Sequence, residues 1–361
     1  MSSTTEPGFF DATTLFGAIQ SDVPMQTNSW GNSQHARSPN GSSTQKIALH
    51  STFNVVYLHQ EIVPPVAGPA VVNSTEPIKN DLTMTLPAPA GSALVIEGMI
   101  GDVRVEGTDE AQATAIATRY VRMKTIDNAA KALEGLVAKF EAEGPTLHLR
   151  TQTQGNLEEL GCASYRVDLL IRAPRTLPVR VVGESGRTSV VGTTAAVVVE
   201  QSKGLVTIEH SQGNLDLSNR FGDVSVVDAA GPAAVSCSSG NVTLRGVGGA
   251  IEVSCTEGRT IIDSPRAGVT VRNKGGDVRI IALEGIGGDY EVTAEDGSVS
   301  IVIPPTSNAT VLMTSNEGRV YSAVPVTGTM TPDLHNFTGR LNNADTHLVR
   351  LTTHRGNIIL D

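Results

Sequence analysis

The sequence predicts an all-β protein: a β-solenoid with 18–21-residue coils and two short parallel strands per coil, preceded by a β-rich region with one amphipathic helix. Three observations predict it. Glycines recur at fixed spacing. Gly186, Gly204, Gly222, Gly240, Gly258 and Gly276 stand 18 residues apart, Gly297, Gly318 and Gly339 follow at steps of 21, and Gly356 comes 17 later. An alternating apolar phrase follows most of these glycines, as in "GLVTI", "GDVSV", "GNVTL" and "GDVRI". The composition agrees, because 36 glycines and only 4% aromatic residues suit short strands and tight turns better than a bulky core.

Residues 1–45 are rich in Ser, Thr, Asn, Gly and Pro and show little periodicity. They hold too little apolar surface to offset the entropy of ordering, so the sequence predicts a disordered tail there. A β-rich region is placed at 46–182, as the first part of the repeat-bearing domain. It starts with a strand around Phe53 to Leu58 and a Pro-rich connection, "VPPVAGPAVVNSTEP". The alternating runs "DLTMTL", "SALVIEG" and "GDVRVEG" then read as strands. The helix is expected at about 127–143 in "DNAAKALEGLVAKFEAEGP", with Asp127 as N-cap and Gly144–Pro145 as the stop. Ala130, Leu133, Leu136, Val137 and Phe140 would form its apolar stripe. "TLHLRTQTQ" and "YRVDLLIRAP" return to strand character.

The repeats are placed at 183–361. Each period carries two alternating segments. After the glycine, Val206, Val224, Val242, Thr260, Val278 and Val299 point one way, as do Ile208, Val226, Leu244, Ile262, Ile280 and Ile301. Half a period later a second strand contributes Val197, Leu215, Ala233, Ile251, Val269 and Tyr290, with a companion column two residues on. Stacked coils place equivalent strands roughly 4.8 Å apart. The aliphatic columns then close one narrow core, each buried side chain contributing about 1.5–3 kcal/mol. Gly186, Gly204, Gly222, Gly240, Gly258, Gly276, Gly297 and Gly318 are the expected turn glycines, at points of positive φ or close backbone approach. Cys237 and Cys255 share one column with Asn219 and Asn273 and should be neighbours on adjacent coils. Parallel side-chain vectors fit a disulfide poorly, so stacked thiols are favoured over a bridge.

The chain carries 27 basic and 37 acidic residues, a net charge of −10, which disfavours a nucleic-acid partner. The start of the sequence has no basic, apolar secretory pattern, and no apolar run is long enough for a transmembrane helix. A cytoplasmic location is the resulting expectation, with the cell surface as the alternative. The three cysteines do not form a disulfide framework. The histidines (35, 50, 59, 148, 210, 335, 347 and 354) are scattered, with His347 and His354 seven apart near the last glycine. No metal site, cofactor site or catalytic residue is expected from them. No phosphate-binding, dinucleotide-binding, nucleophile-elbow or zinc-protease motif is present. One polar stripe, Asp223, Arg259 and Asp277 on the column after the glycines, has the residue types of a carbohydrate-cleaving groove; a solvated face is the preferred reading.

The phrase "G-[DN]-V-x-[VIL]", as in "GDVRVEG", "GDVSV", "GNVTL", "GDVRI" and "GNIIL", resembles a bacterial adhesin-like family, domain of unknown function 4097. The resemblance covers roughly Ser92 to Asp361. It implies a β-solenoid and, by name alone, adhesion; it implies no catalytic motif. The functional expectation is a non-enzymatic structural or interaction protein whose flat sheets meet a protein partner or another copy. An exported surface adhesin or envelope-stress sensor is one alternative, and a polysaccharide-active β-helix enzyme is the other. The final "GNIILD" coil leaves one solenoid end lightly protected in this reading, which favours end-to-end association.

Overall fold

The structure, a computed structural model, describes residues 9–14, 19–21, 26–30, 33–37, 46–51, 56–58, 76–124, 128–342 and 346–361. The chain forms two compact units, residues 1–72 and 73–361. In the first, Gln26–Trp30, Ser33–Arg37, Phe9–Thr14 and Lys46–Ser51 make a four-stranded sheet in that order, and Ile19–Ser21 pairs with Val56–Leu58. Four of these strands lie within the stretch expected to be a tail.

The second unit is two stacked sheets, of 13 and 14 strands. Its central coils follow one plan. A seven-residue strand (Val197–Lys203, Leu215–Phe221, Ala233–Ser239, Ile251–Glu257, Val269–Gly275 or Tyr290–Asp296) enters one sheet. The chain turns at a glycine, and a four-residue strand (Val206–Glu209, Val224–Val227, Val242–Arg245, Thr260–Asp263, Val278–Ile281 or Val299–Val302) enters the other. Successive coils pair in parallel with no slip, Leu215 beside Ala233, Ala233 beside Ile251 and Ile251 beside Val269. A one-residue slip would turn every aliphatic column to water, so the alternating pattern holds the register. Val206, Ile208, Val242, Leu244, Ile262 and Tyr290 are fully buried between the sheets. The two strands of a coil are unequal, seven residues against four. The long strands run on past the aliphatic columns because their fifth residue also points inward, where it meets the corner glycines.

The coil plan begins earlier than the 18-residue period reveals. Ala93–Ile100 and Val103–Thr108 form a coil that pairs directly with Val179–Ser185 and Thr188–Val191. Between them the chain adds strands at the same end of both sheets. Thr146–Thr153 and Leu136–Glu143 extend the long-strand sheet, while Cys162–Pro174 and Gln112–Met123, followed by Ile78–Pro87 from before the first coil, extend the other.

The expected helix over 127–143 is corrected. The helix is only Ala129–Glu134, and Leu136–Glu143 is an antiparallel strand paired with Thr146–Thr153. Asp127, the expected cap, lies outside the described residues. The apolar spacing supported both readings up to Leu136. Beyond it, Leu136, Ala138 and Phe140 alternate with Val137, Lys139 and Glu141, and only the first set is buried. Gly144, at φ +62°, and Pro145 form the two-residue loop of a hairpin rather than a helix stop. The short helix buries Ala129, Ala132 and Leu133 against the end of the core.

The other end is also corrected. The strands do not stack in chain order. Leu348–Arg355 lies between Tyr290–Asp296 and Ala309–Ser315, parallel to both, and Ile358–Leu360 lies between Val299–Val302 and Val320–Ser322. The "GNIIL" coil is therefore internal, with Val349, Leu351, Ile358 and Leu360 fully buried. Asn336–Leu341 and Val326–Met330 form an antiparallel hairpin that closes the long-strand sheet beyond Ala309–Ser315. Gly339 sits in that hairpin and not at a coil corner.

Candidate functional site: the corner ladders and the outer face

The polar and special residues of the repeats converge on one edge of the solenoid, where each long strand turns into a short one. Gly186, Gly204, Gly222, Gly240, Gly258, Gly276 and Gly297 all have positive φ, from +109° to +158°. A Cβ built on Gly240 would stand 2.1 Å from the carbonyl oxygen of Gly222, and one on Gly258 would stand 2.0 Å from that of Gly240. Neither the conformation nor the space admits a side chain. Gly318 differs: it has no positive φ, but a Cβ there would lie 1.8 Å from the Gly356 oxygen. The ladder starts at Gly101, φ +143°, whose carbonyl underlies Gly186. The sequence period missed Gly101 because the added strands separate it from its neighbour; the shared "GDV" phrase is the signal that finds it.

Crowding these glycines leaves their carbonyls facing inward, and one column of long-strand residues supplies the donors. Gln201, Asn219, Cys237, Cys255 and Asn273 are register neighbours. The Asn219 Nδ2 donates to the oxygens of Gly204 and Gly222 at 2.8 and 2.9 Å. The Asn273 Nδ2 does the same for Gly258 and Gly276 at 3.1 and 2.8 Å. Gln201 donates to Gly186 at 3.1 Å. Further along, the Thr353 hydroxyl donates to Gly297 and the Ser315 hydroxyl to Gly356, both at 2.8 Å. Cys237 and Cys255 hold the same places as free thiols, each with its Sγ 3.6 Å from the Gly240 oxygen. The hydrogen bond with Cys255, together with burial, pushes the Cys237 thiol well above its ordinary range.

A second ladder runs outside the first. The Asp223 carboxylate accepts the Asn241 backbone N–H at 2.7 Å, and the Asn241 side-chain oxygen accepts that of Arg259 at 3.1 Å. Asp277 accepts the N–H of Ser298 at 2.9 Å, and Asp102 that of Arg187 at 2.8 Å. This is why the glycine is followed by Asp or Asn in so many coils. The proposed groove residues Asp223, Arg259 and Asp277 thus sit on one column, with the two carboxylates three rungs apart, about 14 Å at the usual strand spacing. Paired carboxylates acting on one glycosidic bond stand about 5–9.5 Å apart.

The histidines do not gather. His148 lies against Glu143 and Arg150, His210 faces Asp228, and His354 faces Asn316 and Glu317. His335 touches the Gly318 carbonyl, and the His347 carbonyl accepts from Thr310. The side chains of His35, His50 and His59 lie outside the described residues. Among the described residues no group of three or more His, Cys, Asp or Glu is placed to hold a metal ion.

Two shallow depressions among the described residues lie on the outer face of the long-strand sheet. One, of about 460 Å³, has Glu200, Asp216 and Arg220 around Ser202 and Ser218. The other, of about 420 Å³, lies over Ala233, Ala234, Ala250 and Gly268. Glu200 is paired with Arg180 at 2.7 Å, and Glu252 with Arg272 at 3.1 Å. No helix among the described residues is long and apolar enough to cross a membrane.

Several solved structures resemble the chain at low identity. A candidate lipid-binding protein from Parabacteroides distasonis is 12% identical, with a TM-score of 0.42, over 78% of this chain and 97% of that one. A candidate adhesin from Bacteroides fragilis is 13% identical, with a TM-score of 0.35, over the same 78% and 97%. Another, from Parabacteroides distasonis, is 10% identical with a TM-score of 0.26, again over 78% and 97%. No curated protein matches the sequence. The family model of Toastrack DUF4097 matches residues 78–361, the whole two-sheet unit from its first strand onward, and the chain belongs to that family.

Proposed function

We propose that this protein is a non-enzymatic interaction scaffold, an adhesin-like solenoid that presents the flat outer face of its long-strand sheet to a protein partner. One observation carries the reading: the polar side chains that the repeats maintain are engaged in holding coils together. Asp223, Asn241 and Asp277 accept backbone N–H groups, and Asn219 and Asn273 donate to glycine carbonyls. On the outer face Arg220 and Asp216 flank a shallow depression and join neither ladder. A flat, polar, rigid face suits contact over a wide area, as protein interfaces require, better than enclosure of a small molecule.

The test is native affinity purification of the full chain and of a face variant, Asp216→Lys with Arg220→Glu, read by quantitative mass spectrometry. The variant must melt with the parent. A protein retained by the parent and lost from the variant supports the reading. Equal retention by both refutes the face as the contact. Cell fractionation with the same material separates the cytoplasmic from the surface form of the proposal.

A further inference from the structure

The coil formed by residues 346–361 occupies a slot that the preceding chain leaves open. Coil 290–302 and coil 309–322 are consecutive in sequence, yet they do not pair with each other. Each pairs instead with the later coil, through Tyr290–Asp296 and Thr310–Ser315 on one sheet and Val299–Ile301 and Val320–Ser322 on the other. Without it, two parallel strand edges would face each other unpaired in each sheet, a strong template for an added strand. The fit is internal in character. Val349, Leu351, Ile358 and Leu360 are fully buried, and the Gly297 and Gly356 carbonyls find donors in Thr353 and Ser315. Ahead of the segment, Asn342 has φ +54° and donates to the carbonyls of Pro305 and Ser307.

We propose that this slot is a strand-acceptor site for a second copy of the chain, and that copies assemble by exchanging residues 346–361. The occupant is argued from the slot itself. A second copy's segment repeats every backbone bond, buried aliphatic residue and corner donor of the first. Such identical-element exchange is a low-cost route to symmetric dimers. The proposal is independent of the outer-face reading.

The experiment uses register partners on the exposed face. Thr293 on coil 290–302 is opposite Thr352 on the later coil, and opposite Arg272 on the earlier one. Thr293→Cys and Thr352→Cys chains, differently tagged, are co-expressed, purified without unfolding and treated with a short bismaleimide. The native cysteines are buried. Exchange gives a linked dimer carrying both tags. The pair Thr293→Cys with Arg272→Cys gives none, because those two coils stay in one chain. Linking of both pairs means face-to-face association and overturns the proposal. So does linking of neither pair, with the double variant Thr293→Cys/Thr352→Cys bridged only within one chain. Should Thr352→Cys lower the melting temperature, the partners Glu291 and Arg350 serve in the same design.

Discussion

Replacing Gly240 by valine tests the corner ladder most directly. Gly240 has φ +149°, a region that residues with a Cβ adopt at a cost of about 1–3 kcal/mol. The new Cβ would stand 2.1 Å from the Gly222 oxygen and 2.4 Å from its carbonyl carbon. An ordinary contact needs more than a further ångström, and the coil cannot yield it locally. Gly240 donates to Glu257 at 2.9 Å and Gly222 donates to Ser239 at 2.8 Å, so opening the corner breaks bonds on both neighbouring rungs. Each lost bond costs about 0.5–1.5 kcal/mol. The sum, about 2–6 kcal/mol, is a large share of the 5–15 kcal/mol typical of a domain. Urea unfolding followed by far-ultraviolet circular dichroism should show the midpoint collapse, or the chain fail to fold. The control is Gly144→Ala: φ is +62° but nothing lies within 4 Å of the added Cβ, so the expected loss is only about 1 kcal/mol. If Gly240→Val unfolds with the parent, or no worse than the control, the close-approach reasoning is wrong.

The donor column gives a second prediction: Asn219→Leu strips two buried carbonyls of their donor and should cost about 1–3 kcal/mol, whereas Asn219→Cys, the residue found one rung on, should cost less in the same melt. Asp223→Ala should lower stability by about 1 kcal/mol through the lost bond to the Asn241 N–H, and Asp223→Asn, which keeps the acceptor, should lower it less. Cys162, Cys237 and Cys255 are free and buried, so a thiol reagent should react with none of the three until denaturant is added, and a reductant should leave the melting temperature unchanged. The Arg104 hydrogen bond, reinforced by Arg172, holds the Glu106 carboxyl below its ordinary value of 4.5. A folded-state value that is depressed contributes stability above the unfolded value and loses it as the pH falls through the folded one. Glu106→Gln should therefore flatten the loss of stability on acidification below pH ~4.5, and an unchanged acid limb would count against the pairing.

The repeat was legible because its determinants are local and recur. The Gly186-to-Gly276 series, the Val206 and Ile208 columns and the shared column of Cys237 and Cys255 follow from period and alternation alone. The ladders were half legible. The sequence shows that Asp or Asn follows many of the glycines, but a column of Asp223, Arg259 and Asp277 looks the same whether it lines a groove or caps a backbone. Only the rung-by-rung register shows the carboxylate of Asp223 on the N–H of Asn241. Gly101 escaped the period because inserted strands separate it from Gly186.

The sequence by itself determined that this is an all-β stack of coils, and which side chains of the 18-residue repeats face inward. Those properties are set within a single coil by the twofold alternation of strands and by glycine's freedom at positive φ. Two things were decided only in the tertiary structure. Leu136–Glu143 is a strand because Thr146–Thr153 offers it an edge, although its spacing also suits a helix. Residues 346–361 enter between two earlier coils because that slot pairs both of their edges at once. Any in-phase coil satisfies the local pattern equally well. The choice of neighbour rests on hydrogen bonds between distant segments, to which no residue's own periodicity responds.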